Sequence, residues 1–345
     1  MRWLLGVGLL SLGGRVLAGE WKLDSSCQSS PHAKNVTSGM NGAFRLASQV
    51  YDYLEDIANK KPLSKRDKGK HEDEIRQIIQ WTMLKDKEEL NENTDFGALR
   101  LERLKTITGS SKQDDKATAG ASTVIVYCDN SRYEKIERKG EGETTRWHDK
   151  DFDRIVTVDP DVACKGTAEA YVIDSQQAGK PVNQLQICKD WLKSVVEQSD
   201  KSCDKWCWQK VAQGLKKKDQ APIDAADELS TTLFFALLFT TTKDTVGTAC
   251  KTKWKRAQDA KDDLQVAQWA NRMNGGKLWL ETTFRGWKDV LASRKAGKKK
   301  RDAGTGKTGK NDPSAIALCA QGINQVVKKS LMVNEKGELN PSKAK

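Results

Sequence analysis

The sequence predicts an α+β fold that is mostly helical and contains a small, mostly antiparallel sheet. Three observations lead to this prediction. Apolar residues recur at helical spacing in both end regions of the chain, short β-branched runs occupy the middle, and one later segment is apolar on nearly every helical face. Helices that come before and after a group of strands favour a sheet packed against helices.

The first residues are typical of a secretory signal peptide. Arg2 precedes an apolar run over residues 3–10, and small residues precede a cleavage point at Gly19. We expect residues 1–18 to be removed and the mature chain to be secreted and extracellular. The later apolar run over 233–239 is far shorter than the ~20 residues that cross a bilayer, so we expect no membrane span.

The remaining chain divides into four parts. Residues 19–121 form a helical region, with helices predicted at 40–58, 71–84 and 99–107 from the spacing of their apolar residues. Residues 122–294 form the core, which contains β-branched runs at 123–127, 152–158, 168–173 and 185–188. Residues 295–312 are a basic linker rich in Gly and Lys, and 313–345 form a final helix, through residue 331, and a tail.

The charge of the chain restricts its partners. The formal net charge of +12 falls to about +10 when Arg2 and Arg15 leave with the signal peptide. Basic secreted proteins adhere to anionic surfaces. The basic runs at 216–218 and 298–301 are typical of solvated loops, so we expect a protein or an anionic surface as partner and no nucleic acid.

The mature chain contains eight cysteines, an even number that predicts disulfides in a secreted protein. Their spacing does not fix the pairing; from topology alone, we expect Cys27 to bond Cys319 and so join the two ends of the chain. Asn35 begins an Asn-Val-Thr sequon and is a candidate glycosylation site, although an unmodified side chain is an equal alternative. The disulfide candidates are Cys27, Cys128, Cys164, Cys188, Cys203, Cys207, Cys250 and Cys319.

The apolar segment over 222–239 is predicted to be the central helix. Zinc peptidases place His-Glu-x-x-His in such a helix, with two imidazoles one turn apart and a Glu that activates the metal-bound water. The same frame here has Asp227, Glu228 and Thr231, so the Glu is present and both histidines are absent. A buried helix with an acidic first turn accounts for the same residues without any site.

Several segments in the same order carry a family resemblance. They are the strand Val124-Ile125-Val126-Tyr127-Cys128-Asp129, the residues Cys164-Lys165-Gly166 followed by Ala170-Tyr171-Val172, the segment 186–192, the central helix and the helix over 262–270. In this order the chain resembles the secreted fungal metallopeptidases of the deuterolysin and lysine-specific metallo-endopeptidase group, the aspzincins. The resemblance covers about residues 122–273 and implies a zincin-like fold.

The resemblance also assigns positions to the altered motif. Glu228 stands at the position of the general base, Asp227 and Thr231 stand where the family has its two histidines, and Asp244 is the nearest match to the third ligand. These oxygen donors make a poor zinc set, and the three histidines of the chain lie far from the helix in sequence. We therefore expect no metal or other cofactor, with Glu228 as a vestigial base.

The leading functional hypothesis is a secreted, metallopeptidase-like protein that is catalytically inactive and acts by binding. One alternative is an active secreted zinc metallo-endopeptidase with unusual ligands. A second alternative is a disulfide-stabilised structural or adhesion protein without a cleft. Metal analysis of the mature protein distinguishes the first two hypotheses.

Overall fold

A computed structural model describes residues 20–59, 61, 71–84, 90, 98–109, 112–113, 123–136, 146–156, 164, 170–177, 180–200, 229–240, 287, 290–291, 313–329 and 331–341. Several predicted features lie outside these residues. They are the signal peptide, the linker over 295–312, Asp227, Glu228, Asp244, Cys203, Cys207 and Cys250.

The helices agree with the apolar spacing in the sequence. The predicted helices at 71–84, 99–107 and 313–331 are confirmed to within two residues at their ends, and the helix predicted at 40–58 begins seven residues earlier, at Ala33. None of the helices in the described part of the chain is long and apolar enough to cross a membrane. In chain order the helices are α1 (Ser25–Gln28), α2 (Ala33–Ala58), α3 (Glu72–Met83), α4 (Ala98–Gly109), α5 (Lys189–Asp200), α6 (Leu229–Thr240) and α7 (Pro313–Lys329).

Local chemistry fixes where some helices begin. The Asp24 carboxylate accepts a hydrogen bond of 2.8 Å from the backbone N–H of Ser26 and so caps α1. The first turn of α3 carries Glu72, Asp73 and Glu74, which lie at the positive end of the helix dipole.

The strands form a main sheet and two smaller sheets. The main sheet has the order β2-β1-β3-β8-β7, and the second sheet has the order β4-β5-β6. In chain order the strands are β1 (Glu20–Leu23), β2 (Lys112–Gln113), β3 (Val124–Tyr127), β4 (Tyr133–Ile136), β5 (Arg146–Asp149), β6 (Arg154–Val156), β7 (Ala170–Gln177), β8 (Lys180–Ile187), β9 (Leu331–Val333) and β10 (Leu339–Pro341).

The prediction of a mostly antiparallel sheet is wrong for the main sheet. β1 pairs in parallel with β2 and β3, β3 pairs in parallel with β8, and only β7 runs antiparallel to its neighbour β8. The error arises at β1, because a strand of four residues is too short to show a period within a region that is otherwise helical. The long connection through α2 returns the chain to the start of the sheet, which makes β1 and β3 parallel. Antiparallel pairing does occur in the β4-β5-β6 sheet.

The main core lies on one face of the main sheet. Val124 and Val126 on β3 and Leu185 and Ile187 on β8 point into it, together with the helices. Every residue of α7 from 315 to 326 is buried, so this C-terminal helix is enclosed on all sides. The helical region, the core region and the final helix therefore share one hydrophobic core.

Alternation along the strands sends Ile125 and Tyr127 to the opposite face of the sheet, where Phe152 packs against them. Two polar residues of β8, Gln184 and Gln186, lie on this second face, where they are paired with Ile125 and Tyr127. Both glutamines are buried, at 0% and 1% exposed.

A C-terminal hairpin of β9 and β10 closes the described chain. Its turn uses Gly337 at φ 76°, a conformation that glycine adopts without strain. The indole N–H of Trp287 donates to the backbone carbonyl of Glu335 at 2.9 Å, and Trp287 contacts Trp81 edge to face. These contacts join the C-terminal hairpin to α3.

Candidate functional site

Helix α6 holds the position at which the aspzincin resemblance places the metal motif. The helix begins at Leu229, so Asp227 and Glu228 immediately precede the described residues and Asp244 follows them. Thr231 is the described member of the predicted set, and it is 2% exposed. The predicted burial of the apolar run over 233–239 is confirmed for residues 233–238, which lie in this helix and are all buried.

The start of α6 packs closely against α2. A Cβ added at Gly39 would lie 2.8 Å from Leu229 Cγ and 3.0 Å from Leu233 Cδ1. A Cβ added at Gly42 would overlap the side chain of Ser230. Two glycines three residues apart on α2 thus allow a close approach of the two helices, and α6 is held there by packing.

The face of α6 that carries Thr231 is turned away from this contact. Successive helix residues advance by about 100°, so Thr231 is nearly opposite Leu229 on the helix. Its burial means that this face is covered as well.

The residues at the motif positions do not fit zinc. The set consists of two carboxylates and one neutral hydroxyl, whereas catalytic zinc in proteins is held by histidine, often with a carboxylate or a cysteine. Burial of Thr231 also leaves its hydroxyl away from solvent. We therefore assign no metal-dependent step to α6.

The three histidines lie on separate elements. His32 and His71 directly precede α2 and α3, and His148 lies on β5. The Nε2 atom of His148 is 2.9 Å from Asp153 Oδ1. Within the described ranges, no group of three or more His, Cys, Asp or Glu side chains is placed to hold a metal ion.

Helix α6 packs against the hairpin formed by β7 and β8. Among the described strands, β7 pairs with β8 alone and so forms one edge of the main sheet. With eight residues, β7 is long enough to pair with an added strand. The buried helix and the edge strand are thus neighbours.

A buried arginine, which the sequence reading did not identify, organises the second face of the main sheet. Arg132 lies in the turn between β3 and β4, and its side chain is 3% exposed. Its guanidinium carbon is 3.8 Å from the ring centre of Tyr127 and 4.4 Å from that of Tyr133. These distances are those of cation–π contacts in a desolvated site.

Both terminal nitrogens of the guanidinium donate hydrogen bonds to the protein. Its Nη1 donates to Gln186 Oε1 at 2.8 Å, and its Nη2 donates to Tyr133 Oη at 2.8 Å and to Gln184 Oε1 at 3.1 Å. Its Nε is 3.7 Å from Oδ1 of Asp149, which is fully buried. The group that we name the arginine cluster comprises Arg132, Tyr127, Tyr133, Asp149, Gln184 and Gln186.

The arginine cluster joins two sheets. Tyr127, Gln184 and Gln186 belong to the main sheet, while Tyr133 and Asp149 belong to the β4-β5-β6 sheet. Three hydrogen bonds to protein acceptors and two aromatic rings surround the buried guanidinium, so the cluster holds the two sheets together. The trace that it leaves in the sequence is the alternation of two glutamines with apolar residues in β8, a pattern that by itself predicts a solvated face.

Tyr127 also connects the main sheet to the β5–β6 turn. Its hydroxyl donates to Asp151 Oδ2 at 2.9 Å. Burial raises the pKa of Tyr127 far above the usual value of 10.0, and nearby Arg132 offsets this only partly. The phenol is therefore a hydrogen-bond donor throughout the physiological pH range.

The disulfides correct one prediction. Cys27 bonds Cys128, with Cα atoms 4.8 Å apart, so the predicted bond from Cys27 to Cys319 is wrong. The reason is the parallel pairing of β1 and β3, because Cys27 and Cys128 follow the ends of these neighbouring strands. Cys319 is buried in the middle of α7. A second disulfide joins Cys164 to Cys188.

The candidate glycosylation site lies at the start of α2. Asn35 and Thr37 are partly exposed, while Val36 between them is buried at 0% exposure. A glycan on Asn35 would extend from the first turn of the helix. Whether Asn35 is modified stays a prediction.

Comparison of the chain with protein-family models, curated proteins and solved structures finds no match. Function must therefore be inferred from the geometry of α6, the edge strand β7 and the disulfides.

Proposed function

We propose that this chain is a secreted, metallopeptidase-like protein that acts by binding a partner protein and does not hydrolyse peptides. The observation that carries the proposal is Thr231, a hydroxyl residue that is 2% exposed at a position where the family has a zinc-binding histidine. A neutral hydroxyl is a poor zinc ligand in place of an imidazole.

The proposal of a zincin-like fold is supported by the order of the elements. A mixed sheet with one antiparallel edge strand is followed by α5, and then by a buried helix that packs against β7 and β8. The proposal of secretion is supported by two disulfides, which form and persist in oxidising compartments.

The edge strand β7 supplies the binding surface in this proposal. An extended peptide adds to an exposed sheet edge through main-chain hydrogen bonds, and such binding needs no chemistry at α6. The peptide would extend the main sheet beyond β7. The partner is therefore expected to present an extended segment, and not an anionic surface.

Metal analysis and a cleavage assay test the absence of catalysis. We expect the purified mature protein to contain no stoichiometric zinc and to leave peptide substrates intact, because water without a metal keeps a pKa near ~15.7 instead of ~7. Glu228→Gln is the matched variant and should change neither result. Proteolysis that a chelator abolishes and that Glu228→Gln removes would establish the alternative, an active enzyme.

A displayed peptide library, selected on the purified protein, tests the binding surface. Selected peptides should slow amide hydrogen exchange in residues 170–177, and N-methylation of alternate peptide amides should abolish binding. Phe234→Ala removes a fully buried side chain from α6 and is the control that shows whether peptide binding depends on an intact helix. Protection that appears elsewhere on the chain would refute the assignment to β7.

A further inference from the structure

The two disulfides differ in their exposure. Cys27 and Cys128 are 0% and 3% exposed, so both ends of that bond are inside the protein. Cys188 is also buried, at 2%, but its partner Cys164 is partly exposed. Of the two disulfides, the second is therefore the one with a partly exposed end.

The second disulfide also encloses a defined structural unit. Its cysteines are 24 residues apart, and the whole β7–β8 hairpin lies between them. Cys188 directly follows β8, and Ala170 at the start of β7 pairs with Ile187 at the end of β8. The bond thus ties the chain before β7 to the end of β8, where β7 has no other neighbouring strand among the described residues.

We propose that Cys164–Cys188 is a thiol-reducible latch on the β7–β8 hairpin, whereas Cys27–Cys128 is a permanent bond. The reductant is a dithiol, either a small molecule or the exposed dithiol of an oxidoreductase. Thiol–disulfide exchange proceeds by attack of a thiolate on one sulfur, so it requires access to that sulfur. Cys164, the partly exposed partner, is the end at which we expect the attack.

The exchange balances in two steps. One thiolate of the dithiol bonds to the sulfur of Cys164, the Cys164–Cys188 bond breaks, and the electron pair leaves on Cys188, which takes up a proton. The second thiol of the reductant then loses its proton, and its thiolate attacks the reductant's first sulfur in the mixed disulfide. This attack releases Cys164 as a thiolate, which takes up a proton. The protein gains two electrons and two protons, and the dithiol becomes a disulfide.

Opening the latch should loosen the hairpin and leave the centre of the main sheet intact. Among the described elements, β7 would then keep its pairing with β8 and its packing against α6. β1 and β3 would keep both their pairing and the Cys27–Cys128 bond. Control of partner binding by the latch rests on the proposed function, because that function uses the edge of β7.

Graded treatment of the mature protein with dithiothreitol, followed by alkylation and peptide mapping, tests the latch. We expect Cys164 and Cys188 to be alkylated at least about tenfold faster than Cys27 and Cys128. Amide exchange in residues 170–177 and 180–187 should accelerate at least about tenfold, with residues 124–127 unchanged. Equal reduction of both bonds, or a hairpin whose exchange does not change after reduction, would overturn the proposal.

The double variant Cys164→Ser/Cys188→Ser is the matched control. Its hairpin should exchange as fast as that of the reduced protein and should not respond to dithiothreitol. If this variant does not fold, stepwise reduction of the unmodified chain still decides the question. The mapping requires no partner, so a working latch without peptide binding would refute the proposed function and leave the latch standing.

Discussion

Replacing Arg132 with methionine should destabilise the protein severely. Arg132 holds the two tyrosine rings and two glutamines of the arginine cluster, and its Nε lies near the fully buried carboxylate of Asp149. Methionine fills a similar volume but has neither the charge nor the donors. Asp149 would then be a buried carboxylate that has lost its cationic partner, which typically costs about 3–5 kcal/mol.

Urea denaturation with intact disulfides measures the free energy of unfolding. Arg76→Met is the matched control, because Arg76 pairs with Glu72 at 2.8 Å but both side chains are about one-third exposed. Such an i,i+4 surface pair contributes about 0.3–0.5 kcal/mol. The same substitution should therefore cost far more at position 132 than at position 76.

A second change separates the charge effect from lost packing. Adding Asp149→Leu to Arg132→Met removes the stranded carboxylate, so the double variant should be more stable than Arg132→Met alone. If Arg132→Met costs less than about 1 kcal/mol, as a surface arginine would, then the buried cluster does not hold the two sheets together.

Three further outcomes follow from buried groups. Gln325 is 0% exposed, and neither side-chain amide atom has a hydrogen-bond partner in the described structure. Gln325→Met should therefore raise the free energy of unfolding by about 1–3 kcal/mol. Gln186 accepts a hydrogen bond from Arg132, so Gln186→Met should lower that free energy, and urea titrations measure both changes. Gly42→Ala should destabilise the protein by about 1–3 kcal/mol, because the added Cβ overlaps the Ser230 side chain of α6. Gly109→Ala should not destabilise it, because a Cβ added there meets nothing within 4 Å. Thermal melting of the two variants measures this difference. Burial raises the pKa of Tyr127 above its value in the unfolded chain, so its stabilising effect is complete below pH 10.0 and is lost as the pH rises further. Tyr127→Phe should therefore reduce the slope of stability against pH in the alkaline range, and an unchanged slope would contradict the assignment.

Much of the helical structure is predictable from the sequence. Helices α2, α3, α4 and α7 appear where apolar residues recur at helical spacing, since burial of one face dominates their stability. Helix α6 is also predictable as buried, because residues 233–239 offer no polar face. These are local patterns, and local patterns determine local structure.

Long-range pairing is what the sequence does not reveal. β1 is too short to show a period, and its pairing with β3 decides both the parallel sheet and the Cys27–Cys128 bond. The arginine cluster escapes prediction for a related reason. Glutamines that alternate with apolar residues normally predict a solvated face, and only the second sheet, with Arg132, buries them.

Restoring the two histidines of the motif should not restore a zinc site. Thr231 is 2% exposed on a covered face of α6, and the start of the helix is pressed against two glycines of α2. An imidazole at position 231 needs more volume than threonine, and overpacking a core typically costs about 1–3 kcal/mol. The double variant Asp227→His/Thr231→His should therefore unfold at a lower urea concentration and bind no zinc in a 1:1 ratio, as metal analysis after dialysis will show. Stoichiometric zinc with unchanged stability would instead show that α6 still faces an open metal site, and it would remove the main argument for a protein that only binds.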